Sequence, residues 1–443
     1  MIRRFLLILL VLVLFVGAVF AIFSWRAGIA PIEPPARASF EAATIERGAY
    51  LAALGDCVAC HTAPGGRAYA GGFPLRTQFG TIYGTNITPD PETGIGRWSL
   101  EAFTRAVREG VARDGRQLYP VFPYDHFTLL GDDDIRALYA FIMTREPVRA
   151  ETPANEVYFP INFRSLIAGW KILFFRPAAF RSDTAQSDEW NRGAYLVQGL
   201  AHCGACHTPR NLLGAEKRKM PLAGGEAEGW HAPAIDAQSR APVPWTEESL
   251  YRYLRSGADA RHETAAGPMT PVVHNLGSVP ESEVRAIAVY IASVMGAPDL
   301  ERQRRAQAAM ARAAEAEGAP EPHAPGDGAL RTGAALYAGS CAQCHGSASR
   351  NPGAPSSEAL HLALSSSASL PAPSNLIRIV LQGLAPADGD AGAFMPGFSG
   401  AYTDAQVAAI AAYVRATCTD RPEWRNLERE VRKVRAQLAK EAR

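Results

Sequence analysis

The sequence predicts an all-α protein, three tandem helical units behind an N-terminal transmembrane anchor. Three observations carry that prediction: a pentapeptide that occurs three times, helical patterns that recur around each copy, and an unbroken apolar run at the N-terminus. The pentapeptide is C-x-x-C-H, at Cys57–His61, Cys203–His207 and Cys341–His345. Two cysteines on one turn of chain can each form a thioether to a haem vinyl group, and the next histidine is placed under the iron as its proximal ligand. One copy would be open to chance or to a zinc half-site. Three copies, about 140 residues apart, predict three covalently bound haem c groups. Cys57, Cys60, Cys203, Cys206, Cys341 and Cys344 would attach them, with His61, His207 and His345 on the irons.

The N-terminus reads Met-Ile-Arg-Arg, then 19 apolar residues from Phe5 to Phe23, then Ser24-Trp25-Arg26. That run nearly spans a bilayer core and exceeds the apolar region of a signal peptide. Residues 1–26 are therefore expected to be an uncleaved signal anchor in the cell inner membrane, a cleaved signal peptide being the alternative. Arg3 and Arg4 would stay inside, leaving the haem domains in the periplasm. Residues 27–40, rich in Pro and Ala, read as a spacer.

Each pentapeptide follows a short helical stretch containing Gly48, Gly193 or Gly333, and each unit closes with an apolar-periodic helix at Asp132–Thr144, Glu281–Val294 or Asp404–Thr417. Trp98-Ser99 and Trp245-Thr246 open a middle helix in the first two units, with Ser or Thr as N-cap. This is the pattern of class I cytochrome c domains, whose first and last helices cross at a glycine. The expected crossings are Gly48/Tyr139, Gly193/Tyr290 and Gly333/Tyr413. The units are set at 40–149, 188–298 and 328–420, joined by linkers at 150–187 and 299–327, with a charged, exposed tail at 421–443. Within the first linker, Tyr158–Phe180 is apolar but holds Arg164, Lys171 and prolines, which argues against a second span. It reads either as packing between the first two domains or as contact with a partner subunit or membrane surface.

A low-spin haem needs a sixth ligand, in such domains usually a Met thioether, which favours ferrous iron. Met269 follows His207 by 62 residues and Met395 follows His345 by 50, each beside or near proline and ahead of the closing helix. Both are candidate axial ligands. Counting 62 from His61 reaches Pro123, in Phe122-Pro123-Tyr124-Asp125-His126. Phenylalanine cannot bind iron, so either the first haem is five-coordinate or another side chain reaches it, His126 being the candidate. The seventh cysteine, Cys418, reads as a buried thiol.

A net charge of +1, from 45 basic and 44 acidic residues, gives no ground for a nucleic-acid partner. Further motifs sharpen the class: Gly84–Asp90 (GTNITPD) with Thr93–Gly96 and Trp98, His202–Asn211 (HCGACHTPRN), Leu222–Gly225 and Met395–Phe398. On these, the chain from Arg47 to Trp424 resembles the tri-haem cytochrome subunits of membrane-bound bacterial dehydrogenases. Alcohol and gluconate dehydrogenase subunits carry Met-Pro-Tyr where this chain has Phe122-Pro123-Tyr124. That version, Glu146–Val148 through Ala168–Trp170, and Arg421–Trp424 are similar to the subunits accompanying molybdenum hydroxylases of the nicotinate dehydrogenase and isoquinoline oxidoreductase type. The resemblance implies an electron-transfer subunit, not an enzyme by itself. Its implied donor is a molybdopterin subunit with an iron–sulfur subunit, and its acceptor a quinone, cytochrome or oxidase of the respiratory chain. The alternatives are a quinoprotein or flavoprotein partner acting on alcohols, aldehydes or sugar acids, and a haem-based ligand sensor. No iron–sulfur cysteine set, dinucleotide fingerprint or nucleophile–base pair is found in the sequence, so substrate chemistry is not expected of this chain.

Overall fold

The computed structural model of the chain describes residues 2–262, 264–318, 328–345, 361–385 and 394–441. Residues 319–327 of the expected second linker, and parts of the expected third domain, lie outside these. The chain divides into two compact units, Met1–Gln186 with Ala194–His202, and Ser187–Gly193 with Cys203–Arg443. Unit 1 contains the first pentapeptide and unit 2 the other two.

Three helix crossings organise the units. In unit 1, α2 (Ala42–Leu54) follows the N-terminal helix α1 (Ile2–Ser24), and α3 (Leu100–Glu109) precedes α4 (Asp132–Met143). A Cβ on Gly48 of α2 would stand 2.0 Å from the Ala137 carbonyl oxygen of α4, so only glycine lets the backbones meet. In unit 2 the same crossing recurs between the helix Asp188–Tyr195 and the closing helix Glu281–Met295, where Gly193 faces Ala286 at 1.9 Å. It recurs again between Gly328–Ser340 and Asp404–Cys418, where Gly333 faces Ala409 at 2.2 Å. Tyr290 and Tyr413 flank their glycines as expected. The first crossing departs from expectation: Phe141, not Tyr139, fills that place, and Tyr139 instead donates its hydroxyl to the Trp98 carbonyl at 2.8 Å. The residue before each of the first two glycines pins its crossing through an ion pair, Arg47–Asp134 and Arg192–Glu283. Leu51 and Ile135 in unit 1, and Val284 and Ile287 in unit 2, are buried to 2% exposure or less. Each such side chain contributes about 1.5–3 kcal/mol by leaving water.

The middle helices begin as their caps dictate. Ser99 accepts from Ala102 N ahead of α3, and Thr246 with Ser249 forms a capping box at α5 (Glu247–Ser256).

The all-α expectation is corrected by two small antiparallel sheets. In unit 1, β1 (Pro74–Thr77) pairs with β2 (Gly80–Tyr83), and β3 (Glu156–Val157), from beyond α4, adds to β2. In unit 2, β4 (Gly225–Ala227) and β5 (Trp230–Ala232) form a hairpin alone. Strands of two to four residues are too short to show a twofold periodicity in sequence.

The expected transmembrane anchor is also corrected. Among the described residues no helix is long and apolar enough to cross a membrane, which removes the basis for the inner-membrane, periplasm-facing placement. α1 takes Arg3 and Arg4 into its first turn, and its far end belongs to unit 1: Phe20 lies against Gly169, and the Ser24 carbonyl accepts from Gln117. Several apolar side chains between Phe5 and Phe15 are exposed on it. The expected spacer is bonded down as well, through Ile29 N to Arg113 O, Arg105 to Ala27 O and Ile32 N to Arg97 O.

Two further segments have contacts of their own. The helix Leu166–Phe174 within the first linker packs on its own repeat, Trp170 and Phe175 standing edge-on to the buried Tyr124. The tail is not merely exposed: its helix Leu427–Glu441 buries Val431 and Val434 against Ile377, Leu381 and Val407.

Candidate haem sites

Each pentapeptide folds as one tight turn, Cys57–Cys60, Gly204–His207 and Ala342–His345. Asp56 and His202, the residues before the first two, adopt positive φ, which swings the chain sharply from the preceding helix into the turn.

The first two histidines are oriented alike. His61 Nδ1 lies 2.6 Å from the Thr85 carbonyl oxygen, and His207 Nδ1 lies 2.7 Å from that of Pro233. A carbonyl only accepts, so Nδ1 carries the proton and Nε2 is the lone-pair nitrogen. That is the tautomer an iron ligand requires. Burial holds both imidazoles below the ordinary histidine range, opposed by the carbonyl contacts, so they remain neutral. Burial, then the Asp56 charge, pushes the Cys57 thiol up to about 12; burial and Cys206 do the same to Cys203, and Cys341 rises to about 11. The burial around these three sulfurs suits the neutral thioether form. The donor set therefore fits a thioether-linked haem with a neutral imidazole ligand.

The carbonyls that orient the histidines are held by loops built alike. Gly71 N donates to His61 O, and Gly224 N to His207 O, both at 2.7 Å. In the first repeat a Cβ on Gly84 would meet Cys60 O at 1.7 Å, and in the second a Cβ on Gly225 would meet Cys206 O at 2.4 Å. Thr85 is fixed by its neighbour Asn86, which is 2% exposed. Asn86 donates to Val148 O, Ala150 O and Thr93 Oγ1, and accepts from Thr88 N and Oγ1. Asp90 caps the loop by accepting from Thr93 and Glu92. The GTNITPD stretch is thus a rigid bracket for one carbonyl oxygen.

The candidate sixth ligands are placed less uniformly. Met269, expected in a loop, is the first residue of the helix Met269–Gly277 and is half-buried. Met395 pairs both its backbone groups with Leu384 at 2.9 Å, and its side chain packs partly against Ile377, Val380 and Leu381. His126 lies in the single turn Tyr124–Phe127 with Nδ1 2.7 Å from Gln198 O, while Phe122 stacks edge-on with Phe127. Met143 and Met295 are buried, and Met220 and Met310 exposed. At the third site, Tyr337 donates its hydroxyl to His345 O at 3.0 Å; residues 346–360 and 386–393 around it lie outside the described residues. Cys418 is half-buried with its sulfur 3.6 Å from Thr417 Oγ1, and burial raises its thiol above the usual range.

Sequence reasoning did not find Thr85 and Pro233 as orienting groups. They act through backbone oxygens, which leave no side-chain signature.

Residues 45–146 match the family model described as cytochrome c, and residues 328–414 one described as cytochrome C oxidase, cbb3-type, subunit III. The chain is 48% identical over 417 residues to a nicotinate dehydrogenase subunit of Pseudomonas putida, covering 93% of this chain and 33% of that protein. It is 37% identical over 404 residues to the fructose dehydrogenase cytochrome subunit of Gluconobacter japonicus, covering 86% of this chain and 80% of that one. To the gluconate 2-dehydrogenase cytochrome c subunit of Pantoea cypripedii it is 38% identical over 392 residues, 85% of this chain and 86% of that one. It thus spans about a third of the first relative and most of the other two.

Proposed function

Because the chain belongs to the family of cytochrome c subunits of dehydrogenase complexes, which transfer electrons rather than act as enzymes alone, we propose that it carries three haems and serves a molybdopterin hydroxylase. The observation that carries the haem part is the repeated turn with its histidine aimed by a carbonyl. Cys57 with Cys60, Cys203 with Cys206 and Cys341 with Cys344 would hold the groups, and His61, His207 and His345 would take one axial position each. Met269 and Met395 would take the other in the second and third. Haem supplies an iron that alternates between ferric and ferrous states. The chain's part is to keep the imidazoles neutral and fixed and to bury the thioethers. In the first repeat His126 is the candidate sixth ligand, and a second imidazole there would lower that haem's potential. CO binding to the reduced protein distinguishes an open position from a filled one.

The partner assignment rests on Phe122-Pro123-Tyr124 and on the nicotinate dehydrogenase relative, two thirds of which has no counterpart in this chain. On this reading the electron donor is a molybdopterin subunit with an iron–sulfur subunit feeding the haems. Electrons leave to a quinone, a cytochrome or an oxidase. The fructose and gluconate dehydrogenase relatives favour a second reading, a flavoprotein or quinoprotein partner. Affinity purification from native cells with metal analysis and mass identification of co-purifying subunits decides between them. Molybdenum with an iron–sulfur protein is expected; a flavoprotein or quinoprotein without molybdenum would overturn the hydroxylase reading.

A further inference from the structure

The β4–β5 hairpin and the residue after it reach His207 directly and the backbone two residues before Met269. Its turn is Glu228-Gly229, both at positive φ, the tight form that two central residues allow when the second is glycine. One residue past β5, Pro233 O holds His207 Nδ1. At the start of β5, the Trp230 indole lies so close to Gly267 that a Cβ there would meet it at 2.3 Å, two residues before Met269. The hairpin is therefore a strap across both sides of the second site.

In unit 1 the corresponding hairpin is closed by the linker that directly follows its repeat, through β3 on β2. In unit 2 it is closed by the helix Ser374–Gln382 of the third repeat. Asn375 holds His231 at both backbone groups, accepting from its N at 2.8 Å and donating to its O at 2.9 Å. Arg378, 1% exposed, donates from Nε to Gly229 O at 3.0 Å and lies 5.7 Å from the Trp230 ring centroid. Its other two nitrogens form a bidentate pair with Glu441 of the C-terminal helix, each at 3.0 Å. A buried guanidinium is costly unless it is fully bonded, and here every bond runs either to the hairpin or to the C-terminal helix.

We propose that Asn375 and Arg378 are positioning residues for the second haem, so that the third repeat sets the geometry of the second repeat's axial ligands. This rests on the reading of His207 and Met269 as those ligands. The consequence is directional: a disturbance of Ser374–Gln382 reaches the second haem, and the first haem, closed by β3, is untouched.

The test is a redox titration of the purified, haem-loaded chain, followed optically and by the near-infrared Met-to-iron band. M269A identifies the second haem's wave by displacing it. R378Q and N375A are expected to displace that same wave and leave the others in place, with R378K restoring most of the shift. G333A strains the third repeat at its crossing with Ala409, away from Ser374–Gln382, and is expected to lower the melting temperature with the second haem's wave in place. If M269A displaces nothing, the ligand assignment fails. If M269A displaces a wave while R378Q and N375A leave it, the positioning role is overturned, as it is if G333A reproduces their shift. Should R378Q not fold, N375A carries the same decision, since it leaves the Arg378–Glu441 pair intact.

Discussion

Lys171 shows how a single side chain ties a linker to the first repeat. Its ammonium donates to Glu109 O, Gly110 O and Gln117 Oε1, and lies 4.7 Å over the Tyr124 ring. Burial, then the Arg26 charge, depresses its pKa to about 7, with Glu109 opposing. An ordinary lysine holds its proton to about 10.4. Between those values the unfolded chain binds more protons than the folded one, so folding is favoured as pH rises from about 7 towards 10. Denaturant melts of unit 1 should show that gain, and K171M should flatten it. At the same scale, Asn86 decides where the Thr85 carbonyl stands. N86A removes the shorter of two donors to the Val148 carbonyl together with the loop's internal bonds, at a cost of about 1–3 kcal/mol. The expected outcome is a lower melting temperature together with a perturbed spectrum of the first haem alone.

At the level of elements, the helices were legible because their signals are strong. The crossing glycines, the Ser99 and Thr246 caps and the closing helices can all be read from residue type and a 3.6 period. Tyr139 misled because it recurs in the closing helix two positions before the contact, and only the packed geometry assigns that contact to Phe141. The hairpins were missed because their strands are short, and the amphipathic side of the tail because charge dominates its composition. The three pentapeptides were fully legible. The carbonyls that aim His61 and His207 were not, and neither were Asn375 and Arg378, whose partners lie more than 140 positions away. The crossings give a direct test. G333A drives a methyl into Ala409 O and should destabilise the third repeat by about 1–3 kcal/mol. A thermal melt measures it, and the Gly28 position, where a Cβ meets nothing nearer than 3.6 Å, is the comparison.

For the whole molecule the governing number is the haem count. Replacing one cysteine pair by serine, C57S/C60S or its equivalents, should each remove one haem, so pyridine haemochrome stoichiometry falls from three to two per chain. A wild-type value of two would remove one pentapeptide from service. The repeats are alike in plan and unlike in closure, since β3 follows directly on the first repeat, whereas Ser374–Gln382 belongs to the third repeat. That difference has a consequence in time. His231 and Asn375 are 144 positions apart, and synthesis at roughly 5–20 residues per second leaves the second hairpin waiting roughly 7–30 s for its clasp. With haem at both pentapeptides, the first pocket would be closed soon after its own hairpin emerges, whereas the second would stay open until Ser374–Gln382 has emerged, making it the later of the two to accept its haem.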